Sequence, residues 1–385
     1  MHTFTPTQAA DIASGVYLLQ NDSVSTVHEF GGRLGCEDMF AVSDQSRFTG
    51  KSGVLAWKPL SGFGYIAAGT GVYANEVLLA TRGTAMMADW LTDANIAVQR
   101  GPSGLPVHAG FNQVWKSYVP ALREFLRGRN PSRIHCIGHS LGGALAALNA
   151  DFLTHERVAE VCLYTFGAPR SGDGLFARSL TQRMGPRIYR VSNPVDPVPM
   201  IPLFPFWHLP FGEAGLQIPS TSNLPISFDG HKMKVSYIPG VAGLGWNDLK
   251  PLGLLDSLQV KSWLEQAASG HGSLLKGSAH VLGMIGRALS WLLAAAGKLV
   301  MGGVGLSLAT GATVLDQVAW LLSRSAQLSK EIGWQLKGLI AAIFSFLGRK
   351  VVALADVTVA FLRWLLELLF GSLRAIAERA LSSLF

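Results

Sequence analysis

The 385-residue sequence predicts an α/β fold with a mostly parallel sheet, followed by an all-helical C-terminal region. Three observations carry that expectation. Short apolar runs at 75–82, 134–137, 161–166 and 188–192 alternate with helical stretches, the pattern of a sheet covered on both faces. A tight turn, Gly138-His139-Ser140-Leu141-Gly142, joins one such run to an Ala- and Leu-rich helix reaching residue 150. Beyond residue 250 the strand signals stop and helical periodicity takes over.

Composition narrows the class. Hydrophobic residues make up 49% and charged residues 15%, an unusually apolar balance that points toward lipid or a buried interface. The net charge of +7 is uneven: residues 250–385 hold 13 Lys/Arg against 7 Asp/Glu, and residues 1–249 hold 19 against 18. An apolar tail with excess positive charge suits an anionic membrane surface. No interleaving of aromatic and basic residues marks a nucleic-acid groove, so no nucleic-acid partner is expected. Cys36, Cys136 and Cys162 are too few and too odd in number for a disulfide framework, which predicts folding in a reducing compartment. They form no metal-ligand spacing with the ten histidines, and no cofactor or metal is expected. The N-terminus lacks a basic stretch followed by a purely apolar run, so no signal peptide is predicted.

Taken in order, Thr5-Pro6 followed by Ala9, Ala10, Ile12, Ala13 and Val16 predicts a capped amphipathic helix. Residues 20–74 read as antiparallel strands with turns, with examples at 54–57 and 64–68. The strand at 75–82 ends in Gly83-Thr84 and leads into an amphipathic segment at 86–96. A Gly/Pro loop at 101–106 precedes a helix at 114–127. The strand at 161–166 is followed by a helix at 174–184 and a strand at 188–192.

From 193 to 223 the chain is Pro-rich and aromatic. Prolines at 194, 197, 199, 202, 205 and 210 exclude helix and central strand. Phe204, Phe206, Trp207 and Phe211 either line an apolar pocket or cap the core. A Phe228-Asp229-Gly230 turn precedes His231. Residues 239–255 read as a linker.

Helices are expected near 256–269, 273–300, 312–347 and 349–383. In the last, Asp356, Arg363, Glu367, Arg374 and Glu378 share one face, away from Leu354, Phe361, Leu365, Leu368 and Leu369. The longest charge-free run of the tail, residues 299–315, holds four glycines among its 17 residues and is no convincing membrane span. A helical bundle packed on the preceding domain is favoured over one that opens onto lipid. The division expected is a catalytic domain at 1–245 and an amphipathic helical domain at 250–385.

The chemistry centres on Ser140. Glycines on both sides let the backbone bend sharply and lift the hydroxyl out of the sheet. The helix N-terminus and the free Leu141 N–H favour negative charge beside it. A serine is a poor nucleophile until a base takes its proton, and the base needs an orienting carboxylate. Asp196 stands just past the strand that ends near Ser192, at the end of the sheet where sites form. Downstream of Ser140, His155 is too local to return, and His271 and His280 belong to the tail. His208 and His231 remain as candidate bases.

These residues resemble the class 3 lipases, the fungal-type triacylglycerol lipases and their bacterial and plant relatives, over roughly residues 60–240. GHSLGG at 138–143 is similar to the family's nucleophile box and TFGAPRSGD at 165–173 to the stretch after the next strand. YRVSNPVDPVPMIP at 189–202 resembles its acid loop, ATRGTAMMADWLTDAN at 80–95 its oxyanion and lid segment, and VHAGF at 107–111 also matches. The resemblance implies an α/β-hydrolase fold and a Ser140-Asp196-His231 triad, because the family's base lies a few residues before an aromatic, as His231 lies before Tyr237. His208 resembles a family histidine that is not the base. The oxyanion donors implied are Thr84 and the Leu141 N–H. Met86, Met87, Trp90 and Leu91 are implied as the apolar face of a lid. His139 and His108 are expected to pack and hydrogen-bond.

The activity implied is hydrolysis of lipid carboxylic esters through an acyl-enzyme. The tail departs from the fungal pattern. An apolar basic tail without a signal peptide resembles phospholipase effectors exported by type VI secretion. That resemblance implies membrane phospholipid as substrate, passage from the cytoplasm to a target-cell membrane or periplasm, and an immunity protein or secretion-machinery component as partner. The competing readings are a triacylglycerol lipase or short-chain esterase, and a membrane-inserting or lipid-binding toxin with a vestigial hydrolase domain. The intact Ser140, Asp196, His231 and Thr84 argue against a vestige.

Overall fold

The computed structural model describes residues 2–20, 35–43, 46–50, 61–83, 98–202, 205–212, 215–220, 226–251, 257–270, 279–300, 314–350 and 357–382. The expected strand at 54–57, the segment at 84–97 with Thr84 and the lid candidates Met86, Met87, Trp90 and Leu91, and Phe204 lie outside these residues.

The main sheet runs in the order β1 (Phe40–Ala41), β3 (Ser61–Gly69), β4 (Glu76–Thr81), β7 (Arg133–His139), β8 (Glu160–Phe166), β10 (Ile188–Ser192), β12 (Leu216–Gln217) and β13 (Lys250–Pro251), with β2 (Arg47–Gly50) paired to β3. Its centre, β4-β7-β8-β10-β12, is parallel, and its flanks are antiparallel. A small second sheet joins β5 (Val98–Arg100), β6 (Pro106–His108), β9 (Gly172–Asp173) and β11 (Phe206–Trp207). This is the α/β-hydrolase architecture, with a helical C-terminal region.

The central strands are apolar on both faces because both are covered. Val77, Leu79, Ile134, Cys136, Val161 and Leu163 face a core with α2 (Ala109–Leu126), α3 (Leu141–His155) and α4 (Gly174–Met184). Their alternates Leu78, Ala80, Ile137, Cys162, Tyr164 and Phe166 face α1 (Pro6–Gly15). The two-residue alternation of side chains across a strand explains the split. The N-terminal helix forms as its sequence predicts: Thr5 and Gln8 make a reciprocal capping box, with Pro6 in the first turn.

The linker expected at 239–255 is, through Pro251, part of the fold. Val241, in the short helix α5 (Ile238–Val241), and Leu249 are buried, and β13 pairs antiparallel with β12. The glycines and leucines of this stretch serve as turn and core residues, roles that composition does not separate from a linker.

The tail comprises α6 (Ser257–Ala268), α7 (Ala279–Val300), α8 (Val314–Leu328), α9 (Lys330–Phe346) and α10 (Val359–Ser382). The helix expected at 312–347 is therefore two. Ser329 leaves helical geometry at φ −137° and ψ 118°, and its hydroxyl caps α9 by accepting from the Ile332 N–H. The helix expected at 349–383 starts only at Val359, after a positive-φ glycine at 348 and with the Thr358 hydroxyl accepting from the Phe361 N–H. Asp356 and Leu354 lie outside the described residues, whereas Arg363–Glu367 and Arg374–Glu378 form the expected i,i+4 pairs.

Apolar residues of the tail, among them Leu282, Leu289, Leu336 and Leu365, share one buried cluster with Val198, Ile201 and Leu209 of the α/β region. Among the described residues no helix is long and apolar enough to cross a membrane. Trp320, Trp334 and Trp364 of the tail are exposed.

Candidate active site

Ser140 stands between β7 and α3 at φ 57° and ψ −134°, a strained backbone position for a residue with a side chain. Close packing around the turn demands its glycines. A Cβ on Gly138 would come within 2.3 Å of the Gly142 carbonyl oxygen, and one on Gly142 within 2.3 Å of the Thr81 carbonyl oxygen. The Thr81 hydroxyl locks the turn by donating to the carbonyls of Ile137 (3.1 Å) and Gly142 (2.8 Å). The Ser140 N–H donates to Phe166 O at 2.9 Å, tying the elbow to the neighbouring strand.

Ser140, His231 and Asp196, expected from sequence to act together, do meet. His231 Nε2 lies 2.8 Å from Ser140 Oγ, and His231 Nδ1 lies 2.8 Å from Asp196 Oδ2. All three are essentially inaccessible to water, with Ser140 1% exposed. Asp196 follows β10 in the Pro-rich loop. His231 ends a single 3₁₀ turn, Asp229–His231, tied to the acid loop by the Ser227 N–H donating to Val195 O at 2.9 Å. His208, the other candidate base, is elsewhere: its ring bonds the Pro199 carbonyl, and burial followed by the charges of Arg190, Arg170 and Arg287 holds it well below the usual histidine range.

The Asp196 carboxylate is satisfied by further donors. Tyr237 O–H donates to Oδ2 at 2.6 Å and the Val198 N–H to Oδ1 at 2.9 Å. Burial and the neighbouring carboxylate hold the Tyr237 phenol protonated, with its pKa well above the ordinary value. Gly167, at φ +57°, passes so close that a Cβ would sit 2.8 Å from Asp196 Oδ2 and 3.1 Å from His231 Nδ1.

Asn193 Nδ2 donates to Ser236 Oγ, and Ser236 Oγ to Gly230 O, each at 2.8 Å. That chain clamps the loop of His231 to the loop of Asp196. Asn193, Ser236 and the bond made by Tyr237 were not read from sequence; the only local signal is Asn-Pro at a strand end, which marks a turn and nothing more.

His139 and His108 hydrogen-bond and pack as expected. His139 Nε2–H donates to the carbonyl of His231 at 2.8 Å, leaving Nδ1 to accept from the Tyr17 hydroxyl at 3.0 Å. Burial, then the unfavourable coupling to the facing His231 ring, holds this imidazole well below its ordinary pKa. Tyr17, also missed from sequence, lies within hydrogen-bonding reach of Ser140 itself, and its burial raises its pKa. His108 caps α2 by accepting from the Gly110 N–H at 3.2 Å, and its ring packs on Phe111 and Phe206. Phe206, Trp207 and Phe211 pack against the core, the capping alternative of the two foreseen.

Of the two expected oxyanion donors, Leu141 is the first residue of α3, so its N–H has no acceptor within the helix and lies beside Ser140. Gly83, the residue before Thr84, is packed tightly against Leu141: a Cβ there would meet the Leu141 Cβ at 2.7 Å.

A neutral imidazole placed this way can take a proton from Ser140 while Asp196 holds Nδ1–H in place, and a helix N-terminus can receive the oxyanion formed when the serine attacks a carbonyl.

Comparison with known proteins agrees with that geometry. Residues 78–206 match the family described as Lipase (class 3). A secreted mono- and diacylglycerol lipase of Fusarium solani is 33% identical over 133 residues, 33% of this chain and 39% of the relative. The chloroplastic phospholipase A(1) DAD1 of Arabidopsis thaliana is 30% identical over 151 residues, 33% of this chain and 34% of that protein. The chain thus spans well under half the length of either relative. The crystal structure of Lip2 lipase from Yarrowia lipolytica aligns at 19% identity and a TM-score of 0.43, over 56% of this chain and 77% of that one, a likeness that adds nothing to the argument. Ser140 and Asp196 both lie inside residues 78–206, the stretch that is similar to the class 3 lipase family.

Proposed function

We propose that this chain is a serine lipase that hydrolyses carboxylic ester bonds of lipids through an acyl-enzyme on Ser140. The observation that carries the reading is the unbroken hydrogen-bonded line from Ser140 Oγ through His231 to Asp196. His231 takes the serine proton as Oγ attacks the ester carbonyl, and Asp196 keeps the ring in the required tautomer. The Leu141 N–H, with Thr84 as its partner, receives the oxyanion. The protonated His231 then gives its proton to the leaving alcohol. Water, deprotonated by the same base, releases the fatty acid.

The domain division expected at 1–245 and 250–385 is proposed with one change: Lys250–Pro251 pairs with the main sheet, so the catalytic unit runs through Pro251 and the helical unit that brings it to lipid begins with α6 at Ser257. Membrane phospholipid is the preferred substrate class. Its supports are the positive charge of the tail, the exposed Trp320, Trp334 and Trp364, and the phospholipase A(1) among the relatives. Delivery to a target-cell membrane, with an immunity protein in the producing cell, extends that proposal. Its support is the apolar, basic tail. Cleavage of mono- and diacylglycerols is the second reading, supported by the Fusarium relative. Met86, Met87, Trp90 and Leu91 are proposed as the lid, because a serine only 1% exposed meets an ester only after a cover has moved.

Fatty-acid release from phospholipid vesicles, a triglyceride emulsion and a soluble short-chain ester, by wild type and Ser140→Ala, tests the proposal. The expected result is release from vesicles that Ser140→Ala abolishes. Release confined to the emulsion favours the second reading. Vesicle leakage that survives Ser140→Ala, with no fatty acid released by wild type, overturns the hydrolase proposal in favour of a membrane-disrupting protein.

A further inference from the structure

Where the α/β region meets the tail, three arginines and a histidine surround one turn. Val191 of β10 packs on the α1 side of the sheet, so its neighbour Arg190 projects to the opposite side, beside Gly215. A Cβ on Gly215 would come within 2.3 Å of Arg190 Nη1, so the glycine makes room for the guanidinium. Arg170, in the loop after β8, donates from Nη1 to the carbonyls of Met200 and Pro202, each at 2.7 Å. The His208 ring bonds the Pro199 carbonyl on the same turn. Arg287 comes from α7, which packs on that turn, and is exposed at the edge of the group.

Arg190 is 8% exposed, and its Nε is buried with no hydrogen-bond partner among the described residues. None of the three guanidiniums meets a carboxylate among the described residues. Burial, followed by the other arginine charges, pushes Arg170 down to about 9, and burial pushes Arg190 down to about 10.

From this arrangement we infer a binding site for a phosphate group, formed by Arg170, Arg190, Arg287 and His208 at the junction of the sheet and α7. Like charges gathered away from water repel, and a buried charge without a partner is costly. A bound anion relieves both. Three guanidiniums call for more negative charge than one carboxylate carries, and their forked donors match a tetrahedral phosphate. The exposed Arg287 gives the ligand a way in. The same chemistry is offered by free phosphate and by the phosphate of a lipid headgroup. The inference goes beyond the hydrolase reading and does not depend on it.

Two measurements on the full chain test it. Inorganic phosphate is titrated calorimetrically at low ionic strength, with chloride as control. Separately, the protein is sedimented with phosphatidylcholine vesicles with and without phosphatidic acid. The variants are Arg190→Gln and Arg287→Gln, with Lys337→Gln as a control that removes one exposed positive charge elsewhere.

Phosphate binding by wild type that weakens at least tenfold in the arginine variants, and not in Lys337→Gln, supports the site with free phosphate as ligand. Sedimentation that requires phosphatidic acid and fails in the same two variants alone supports it with a lipid headgroup as ligand. No binding to either probe, or equal weakening by Lys337→Gln, overturns it. Arg287 is exposed, so its variant keeps the test decisive where Arg190→Gln does not fold. Turnover of a soluble ester by Arg287→Gln is expected to stay within twofold of wild type, which separates failure of this site from failure of the hydrolase reading.

Discussion

Asp196 accepts from His231 Nδ1–H, the Tyr237 hydroxyl and the Val198 N–H, so the carboxylate proposed to orient the base is held by more than His231. Tyr237→Phe removes one of those bonds from a buried charge, an interaction worth about 1.5–3 kcal/mol. The expected outcome is a fall in kcat of about tenfold or more, with KM for a soluble ester little changed and the circular dichroism spectrum intact. Asn193→Ala breaks the link to Ser236 that ties the two loops and is expected to lower kcat in the same way, whereas Asn193→Asp, which keeps an oxygen for the Val195 N–H, recovers part of the loss.

At this scale the legible residues were the ones with local geometric demands. Ser140 is written into its two glycines, and Asp196 into its place just after a strand. The base was narrowed to His208 and His231 by position, and the family resemblance chose between them. Tyr17 and Ser236 stayed hidden because they act on residues 122 and 43 positions away, where no periodicity or spacing connects them.

The elements follow from rules the sequence states well in the α/β region and less well in the tail. Strands β4, β7, β8 and β10 fall where unbroken apolar runs place them, since parallel strands are buried on both faces. The turn after β7 tolerates no added methyl group. Gly142→Ala would drive a Cβ into the Thr81 carbonyl oxygen, backbone against backbone, and is expected to cost about 3 kcal/mol in a urea unfolding experiment.

In the tail, a continuous helical period concealed the break at Ser329, because a residue that caps one helix also fits the polar face of a longer one. Ser329→Ala is expected to lower stability by about 1 kcal/mol, read as a shift of the urea midpoint without a change of slope. The exposed i,i+4 pairs of α10 were legible, yet their position said nothing of where the helix begins; Thr358 decides that.

The whole molecule buries neutral histidines, and that sets its response to acid. Burial holds His108 down at about 4. His139 and His208 are held well below the ordinary value, and His135 below it, with burial the largest cause in each. An unfolded histidine titrates near 6.5. As pH falls below that value, the unfolded chain takes up protons that the folded chain refuses. The contribution of these groups is therefore complete above about pH 6.5 and is lost as pH falls toward the folded values. His108 alone accounts for roughly 3 kcal/mol of that loss. His108→Asn, which retains an acceptor for the Gly110 N–H, is expected to flatten the decline between pH 7 and 4 by about that amount in chemical denaturation.

The alliance of sheet and tail was foreseen only as a preference, because amphipathic helices read alike whether they cover a protein core or a membrane. The most direct measurement of the central claim is covalent labelling by an organophosphonate ester, mapped by peptide mass spectrometry. One equivalent on Ser140, absent in Ser140→Ala and slowed ~10³-fold or more in His231→Ala, is the predicted result. Attachment at another serine, or undiminished labelling of His231→Ala, would contradict it.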